Sequence, residues 1–94
     1  MAESQIQGKS TAAVAHGVAD GLIFINPLTL KKYDGEAFKS LYHHLRKIQR
    51  DTRGESFPQH DAVRIRNRNM KLQRLNSAIT IIEHAAKERR ISLI

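Results

Sequence analysis

Residues 34–50 read DGEAFKSLYHHLRKIQR, and this stretch predicts the most regular element of the chain. Its large apolar side chains recur at intervals of three and four residues, the periodicity of a helix with one buried face. Asp34 precedes the pattern as an N-cap, and Gly54 stands where a left-handed residue would end the helix. We therefore predict a helix over about residues 35–52. Its apolar stripe comprises Phe38, Leu41, Leu45 and Ile48.

A second, longer helix is predicted over about residues 58–90. Ser56-Phe57-Pro58-Gln59 has the form of a capping box with proline in the first turn. Neither Pro nor Gly interrupts the chain from there to residue 90. Because the connection is short, the two helices must run antiparallel as a hairpin. The facing seam comprises Ile65, Leu72, Leu75, Ile79, Ile82 and Ala86, with Arg68 as its polar member.

An N-terminal helix is predicted over about residues 11–22, with Ser10 or Thr11 as its cap. Its apolar residues have helical spacing. Ala13, Gly17 and Gly21 follow one line along this helix. Since their side chains are small or missing, we expect another helix to approach closely along that line.

The segment Leu22–Ile25 has two interpretations. In the favoured interpretation the helix reaches about residue 22, and Leu22–Ile25 is its last turn or an extended continuation. In the competing interpretation the helix ends at Asp20-Gly21, and Leu22–Ile25 is a short buried strand. Asn26-Pro27 ends both alternatives, because the residue before proline avoids the helical region. Pro27 can then open a short helical turn through Leu30.

Length and composition restrict the class of protein. The chain has 94 residues, so we expect a single small all-α domain over 1–94, with residues 1–9 frayed and 91–94 as a tail. Cysteine is absent, which excludes a disulfide framework, a cysteine zinc site and a thiol nucleophile. No apolar run approaches the ~18 residues of a membrane helix, and no secretory signal is visible. We therefore predict a cytoplasmic protein that does not contact a membrane.

Residue patterns for metal binding and catalysis are weak. No histidine pair has the spacing of a helical metal site, and no lysine-containing glycine loop could hold a phosphate. Ser77 and Thr80 lie within a predicted helix rather than on a nucleophile elbow. We predict no metal site, no cofactor and no enzymatic activity. The histidines considered were His16, His43, His44, His60 and His84.

The charge of the chain is concentrated in its middle. The formal net charge is +7, while residues 1–30 carry one basic and two acidic side chains. A basic block attracts polyanions, and each phosphate contact releases condensed counterions. Two helical surfaces carry the excess, and they predict a nucleic-acid-binding site. Its residues are Lys39, His43, Arg46, Lys47, Arg50, Arg64, Arg68 and Lys71.

The second half of the longer helix is its most apolar part and extends beyond the reach of the shorter helix. Leaving such a surface in water is unfavourable for a monomer. Either the N-terminal segment or a second copy of the chain should cover it, and we expect a homodimer. A second apolar line on the same helix, Val63, Met70, Ile81 and Ala85, also favours more than one neighbour. The predicted protein interface comprises Leu75, Ile79, Ile81, Ile82 and Ala85.

Together these features predict a small, basic, helical regulator that binds nucleic acid, mainly through phosphates. DNA and RNA remain alternatives. The second hypothesis is an adaptor or inhibitor of the microbial or phage type, which docks its long helix on a larger protein with an acidic surface. Only the first hypothesis predicts strong retention on nucleic acid without another protein present.

Overall fold

The computed structural model of the chain contains the predicted helices, and the two longest of them form an antiparallel pair. The structure describes residues 5–6, 9–56 and 60–93. The predicted all-α class is confirmed. Within the described ranges the helices are α1, Thr11–Ala19; α2, Pro27–Leu30; α3, Gly35–Gly54; and α4, Ala62–Glu88.

A short β ladder precedes α1. The strand β1, Gln5–Ile6, pairs antiparallel with β2, Lys9–Ser10. The sequence predicts that residues 1–9 are frayed. Residues 5, 6 and 9 are instead paired in this ladder. Residues 1–4 and 7–8 lie outside the described part of the chain.

The hairpin of α3 and α4 is confirmed, and its apolar stripe forms the centre of the core. Five large apolar side chains from the two helices are fully buried, and each contributes about 1.5–3 kcal/mol by its burial. They are Phe38, Leu41, Leu45, Leu75 and Ile82.

The loop-proximal end of the hairpin is packed less tightly than the sequence predicts. Ile48 is half-buried and contacts the core. Ile65 and Leu72 are half-buried and do not belong to the main apolar cluster. The seam of α4 is therefore a core seam mainly from Leu75 onward.

The helix α1 packs against both α3 and α4 and completes the core. It buries Val14, Ala15, Val18 and Ala19. Ala78, Ile79 and Ala86 of α4 are also buried within the chain. The N-terminal segment thus shields the apolar second half of α4.

The end of α1 differs from the prediction of a helix to residue 22. Gly21 adopts a left-handed conformation with φ of 80°, which glycine tolerates. Its N–H donates to the Val18 carbonyl over 3.1 Å, and the Leu22 N–H donates to the Gly17 carbonyl over 2.8 Å. These two bonds form a Schellman motif, which ends the helix at Ala19.

The competing interpretation is right about the end of the helix but wrong about the strand, because Leu22–Ile25 is not paired in a ladder and Leu22 and Phe24 are exposed. The same segment also corrects the prediction that another helix packs along Gly17. The space beside Gly17 is taken by Ile23 from the returning chain, and a Cβ at Gly17 would contact Ile23 Cδ1 and lie 2.8 Å from its Cγ1. Ala13, on the same line, is exposed.

Side-chain caps set the starts of the helices. Asp34 Oδ1 accepts from the Ala37 N–H over 2.8 Å, as predicted. The start of α4 is at Ala62 rather than residue 58, because Asp61 is its N-cap and accepts from the Arg64 N–H over 3.0 Å. The predicted capping box at Ser56 includes residues 57–59, which lie outside the described residues. Gly54 is the last residue of α3 and does not have positive φ, so the left-handed end predicted there is wrong.

Candidate nucleic-acid interface

A line of basic side chains follows one flank of α3. Its members are separated by alternating steps of four and three residues, so they share one side of the helix. All are exposed, and the line spans about 21 Å at 1.5 Å per residue. No carboxylate lies between its members, although Glu36 continues the same spacing one step before Lys39; Asp51 lies on another side of the helix. We call this line the basic stripe; it comprises Lys39, His43, Arg46, Arg50 and Arg53.

The basic stripe modifies the set that the sequence predicts. Arg53 belongs to it but is missing from the predicted set, because the predicted helix ends near residue 52. Lys47 is exposed but lies off the stripe, about 80° around α3 from Lys39 and 100° from Arg46. The 4-3-4-3 spacing in the sequence is the signal that would have included Arg53.

A polar contact ties the stripe to α4. The Arg46 guanidinium donates to Gln49 Oε1 over 3.1 Å, and Gln49 Nε2 donates to Asn76 Oδ1. Gln49 is buried, so this network also satisfies a polar group inside the hairpin. Arg46 therefore has a positioning role besides its charge. Arg50 and Arg53 line the same crevice, and no hydrogen bond or ion pair joins either to another described residue.

The predicted basic residues of α4 form a separate group. Arg64 is exposed, whereas Arg68 and Lys71 are half-buried. They line a crevice with Thr52 and Glu55 that shares no residue with the crevice of Arg50 and Arg53. The structure therefore does not unite the eight predicted residues into one surface.

Arg68 differs most from its predicted role. Its Nε atom is buried against α3, in the seam where it stood as the polar member. The adjoining Thr52 hydroxyl is also buried, with no hydrogen-bond partner among the described residues.

Two further arginines stabilise the fold through backbone carbonyls. Arg74 donates to the Ala19 carbonyl from Nε over 3.0 Å and from Nη2 over 2.7 Å. Arg89 donates to the Leu30 carbonyl over 3.1 Å and lies 4.9 Å from the centre of the Phe38 ring. Arg74 therefore stabilises the end of α1, and Arg89 stabilises the end of α2. Sequence spacing gave no signal for either contact.

The predicted protein interface needs a larger correction. Leu75, Ile79 and Ile82 are buried inside the chain, so no second molecule can contact them in this fold. The sequence assigns them to an interface because it does not fix the course of α1 over α4. Ile81 and Ala85 are half-buried at the edge of the core. Only these two remain accessible to a partner.

The described histidines and carboxylates do not assemble into a metal site. No group of three or more potential ligands occurs among the residues that the structure describes. His84 contacts the Glu88 carboxylate at 2.9 Å, and both side chains are largely exposed. Tyr42 and His43 make an edge-to-face contact with ring centres 5.8 Å apart. These pairs are surface contacts within single helices.

Comparison with protein-family models, with curated proteins and with solved structures finds no match for this chain. In the described part of the chain, no helix is long and apolar enough to cross a membrane. The candidate site therefore has to be interpreted from its own geometry and charge.

Proposed function

We infer that the protein binds nucleic acid through the basic stripe of α3, mainly by contacts to phosphates. The observation that carries this proposal is the continuity of the stripe, in which exposed cations recur over about 21 Å without a carboxylate. An α-helix fits the major groove of a duplex, and lysine and arginine on its flank can reach the adjoining phosphates. Single strands can follow the same line of charge.

Arg50 and Arg53 are available to contact phosphates, which supports the proposal. Neither has an ion-pair partner among the described residues, so neither loses an internal contact on binding. Surface cations that are already paired would have to exchange one anion for another. The residues of α4 contribute less here, because Arg68 is partly buried and Lys71 is half-covered.

The number of phosphate contacts sets the expected salt dependence. If Lys39, Arg46, Arg50 and Arg53 each neutralise one phosphate, each basic stripe that is bound should contribute about −3.6 to the slope of log K against log salt on duplex DNA and about −2.8 on a single strand. Fluorescence anisotropy with random duplexes and single strands, at several salt concentrations, measures both slopes.

The test removes the charges of Arg50 and Arg53 and compares the salt slope with that of a variant that loses two cations outside the stripe. Arg50→Gln with Arg53→Gln should reduce the magnitude of the slope by about 1.8 on duplex or about 1.4 on single strand for each stripe that is bound. Lys32→Gln with Lys87→Gln removes the same charge from exposed positions outside the stripe. That control should leave the slope nearly unchanged. Equal effects of the two double variants, with helicity retained, would show that only net charge matters and would contradict the assignment to the stripe.

A further inference from the structure

An apolar projection and an apolar groove lie side by side on the α1 face of the molecule. The projection is formed by Leu22, Phe24 and Leu28, which expose 79%, 78% and 71% of their surfaces. The groove consists of two adjoining cavities of about 260 and 380 Å³ that share Ile81. Its apolar lining includes Val18, Ile23, Ala78, Ile81 and Ala85. We call it the Ile81 groove.

The groove has room for an aromatic ring from another molecule. An apolar cavity of about 150 Å³ accommodates benzene, so the cavity of about 260 Å³ beside Phe24 can accept a phenyl ring. Phe24 is itself one of the residues that line that cavity, and most of its surface is exposed. A surface that carries both a projecting ring and a matching space is complementary to a copy of itself. Such self-complementarity is what a two-fold interface requires.

The charge distribution also favours a second copy on this face. Residues 10–30 contain no Lys or Arg and only one acidic side chain, Asp20, although the chain has a net charge of +7. On the groove wall, the Arg74 guanidinium is engaged by the Ala19 carbonyl. The groove lining carries one arginine, Arg74, and one carboxylate, Glu88. Two copies therefore meet with less electrostatic repulsion here than through α3, where two basic stripes would come together.

We propose that the chain forms a two-fold homodimer in which Phe24 of each copy inserts into the Ile81 groove of the other. This interface differs from the one that the sequence predicts, because Leu75, Ile79 and Ile82 take no part in it. It leaves both basic stripes accessible. Asn76, which contacts the stripe through Gln49, and Ile81 lie about 140° apart around α4. The proposal does not depend on nucleic-acid binding.

Sedimentation of the full chain tests the interface from both sides. Phe24→Asp alters the projecting ring, and Ser77→Arg fills the groove of which Ser77 is an exposed lining residue. Each variant alone should be monomeric, with a dissociation constant raised at least about 30-fold. Val63→Asp is the matched control, since Val63 is 67% exposed on α4 and does not line the groove. It should leave the dimer unchanged.

Mixing the two variants gives the decisive measurement. A mixed pair places one intact Phe24 in one intact groove, and at the second contact it brings the introduced carboxylate of one copy opposite the introduced guanidinium of the other. The mixture should therefore dimerise although neither variant does so alone, and circular dichroism should show that both retain their helices. Three results would overturn the proposal: a wild-type monomer from micromolar to millimolar concentration, a dimer that survives Phe24→Asp, or a mixture that stays monomeric. A wild-type monomer would leave the groove to a different protein.

Discussion

Arg74→Ala is expected to destabilise the fold, because this side chain acts as a C-cap for a helix that is distant in sequence. Both Nε and Nη2 of Arg74 donate to the Ala19 carbonyl, at 3.0 and 2.7 Å. Ala19 is the last residue of α1 and is 1% exposed. Its carbonyl has no other hydrogen-bond donor among the described residues. The carbonyls of His16, Gly17 and Val18 are satisfied by the Schellman motif and the residue before it.

The expected loss follows from the type of bond and the burial of its acceptor. A hydrogen bond from a charged donor contributes about 1.5–3 kcal/mol, and a buried acceptor left without a donor costs about 1–3 kcal/mol. Both bonds end on one oxygen, so these two figures overlap rather than add. We expect Arg74→Ala to lower the free energy of unfolding by about 2–3 kcal/mol. For a domain of this size, the melting temperature should fall by about 8–24 °C.

Thermal and urea unfolding, followed by circular dichroism, measure this loss. Arg66→Ala is the control, because Arg66 is exposed on the same helix and the substitution changes helix propensity by the same amount. It should change stability by less than about 0.5 kcal/mol. Arg74→Lys should fall between the two, since an ammonium lacks the planar fork that reaches one oxygen twice. Equal melting temperatures for Arg74→Ala and Arg66→Ala would refute the capping argument.

Three further perturbations test the core and one buried phenol. Leu45→Ala should cost about 2–5 kcal/mol because Leu45 is fully buried, and Leu72→Ala should cost clearly less because Leu72 is half-buried. Equal losses in urea unfolding would contradict the described core. Gly17→Leu should cost about 1–3 kcal/mol by overfilling space that an isoleucine side chain already occupies, and an unchanged melting temperature would exclude that contact. Burial raises the pKa of the Tyr33 phenol above 10.0, so its stabilising contribution is complete below pH 10 and is lost as pH rises through the higher folded pKa. In a Tyr42→Phe chain, absorbance titration of the one remaining phenol should give a midpoint above 10.0 while the protein stays folded, and a lower midpoint would contradict the burial.

The hairpin was predictable because its signals are local and repeated. The apolar period of residues 38–48 defines a buried face, and Asp34 marks the start of the helix. The end of α1 was harder to predict, since the N-terminal pattern runs beyond the point where the helix stops. Gly21 ends the helix by adopting positive φ, and a glycine within a helical pattern is compatible with both outcomes. For the same reason, the sequence did not predict that Ile23 lies beside Gly17.

The core of α4 illustrates a second limit of the sequence. Leu75, Ile79 and Ile82 are apolar at helical spacing, which predicts burial but does not identify the covering element. A helix of the same chain and a helix of another copy satisfy the pattern equally well. In the structure, α1 covers these residues, and the surface left over is the half-buried edge at Ile81 and Ala85.

The arginines show that amino-acid composition does not determine the role of each side chain. The sequence locates a basic block, but tertiary contacts decide which members of it face solvent. Arg74 and Arg89 bind backbone carbonyls, and Arg68 buries its Nε atom. Arg50 and Arg53 have no such contact with a described residue. A charge count therefore overestimates the number of arginines that can contact phosphates.

The stripe and the groove lie on different sides of α4, which makes the two proposals separable by experiment. A dimer that binds through both stripes should hold nucleic acid more tightly than a monomer, because the second contact is intramolecular. Phe24→Asp removes that advantage without removing a cation, so the monomer should bind more weakly and with about half the salt slope of the dimer. Arg50→Gln with Arg53→Gln should lower the slope while the dimer persists. Loss of dimerisation in the arginine variant would mean that the stripe itself forms part of the interface, and the separation argued from the position of Asn76 would be wrong.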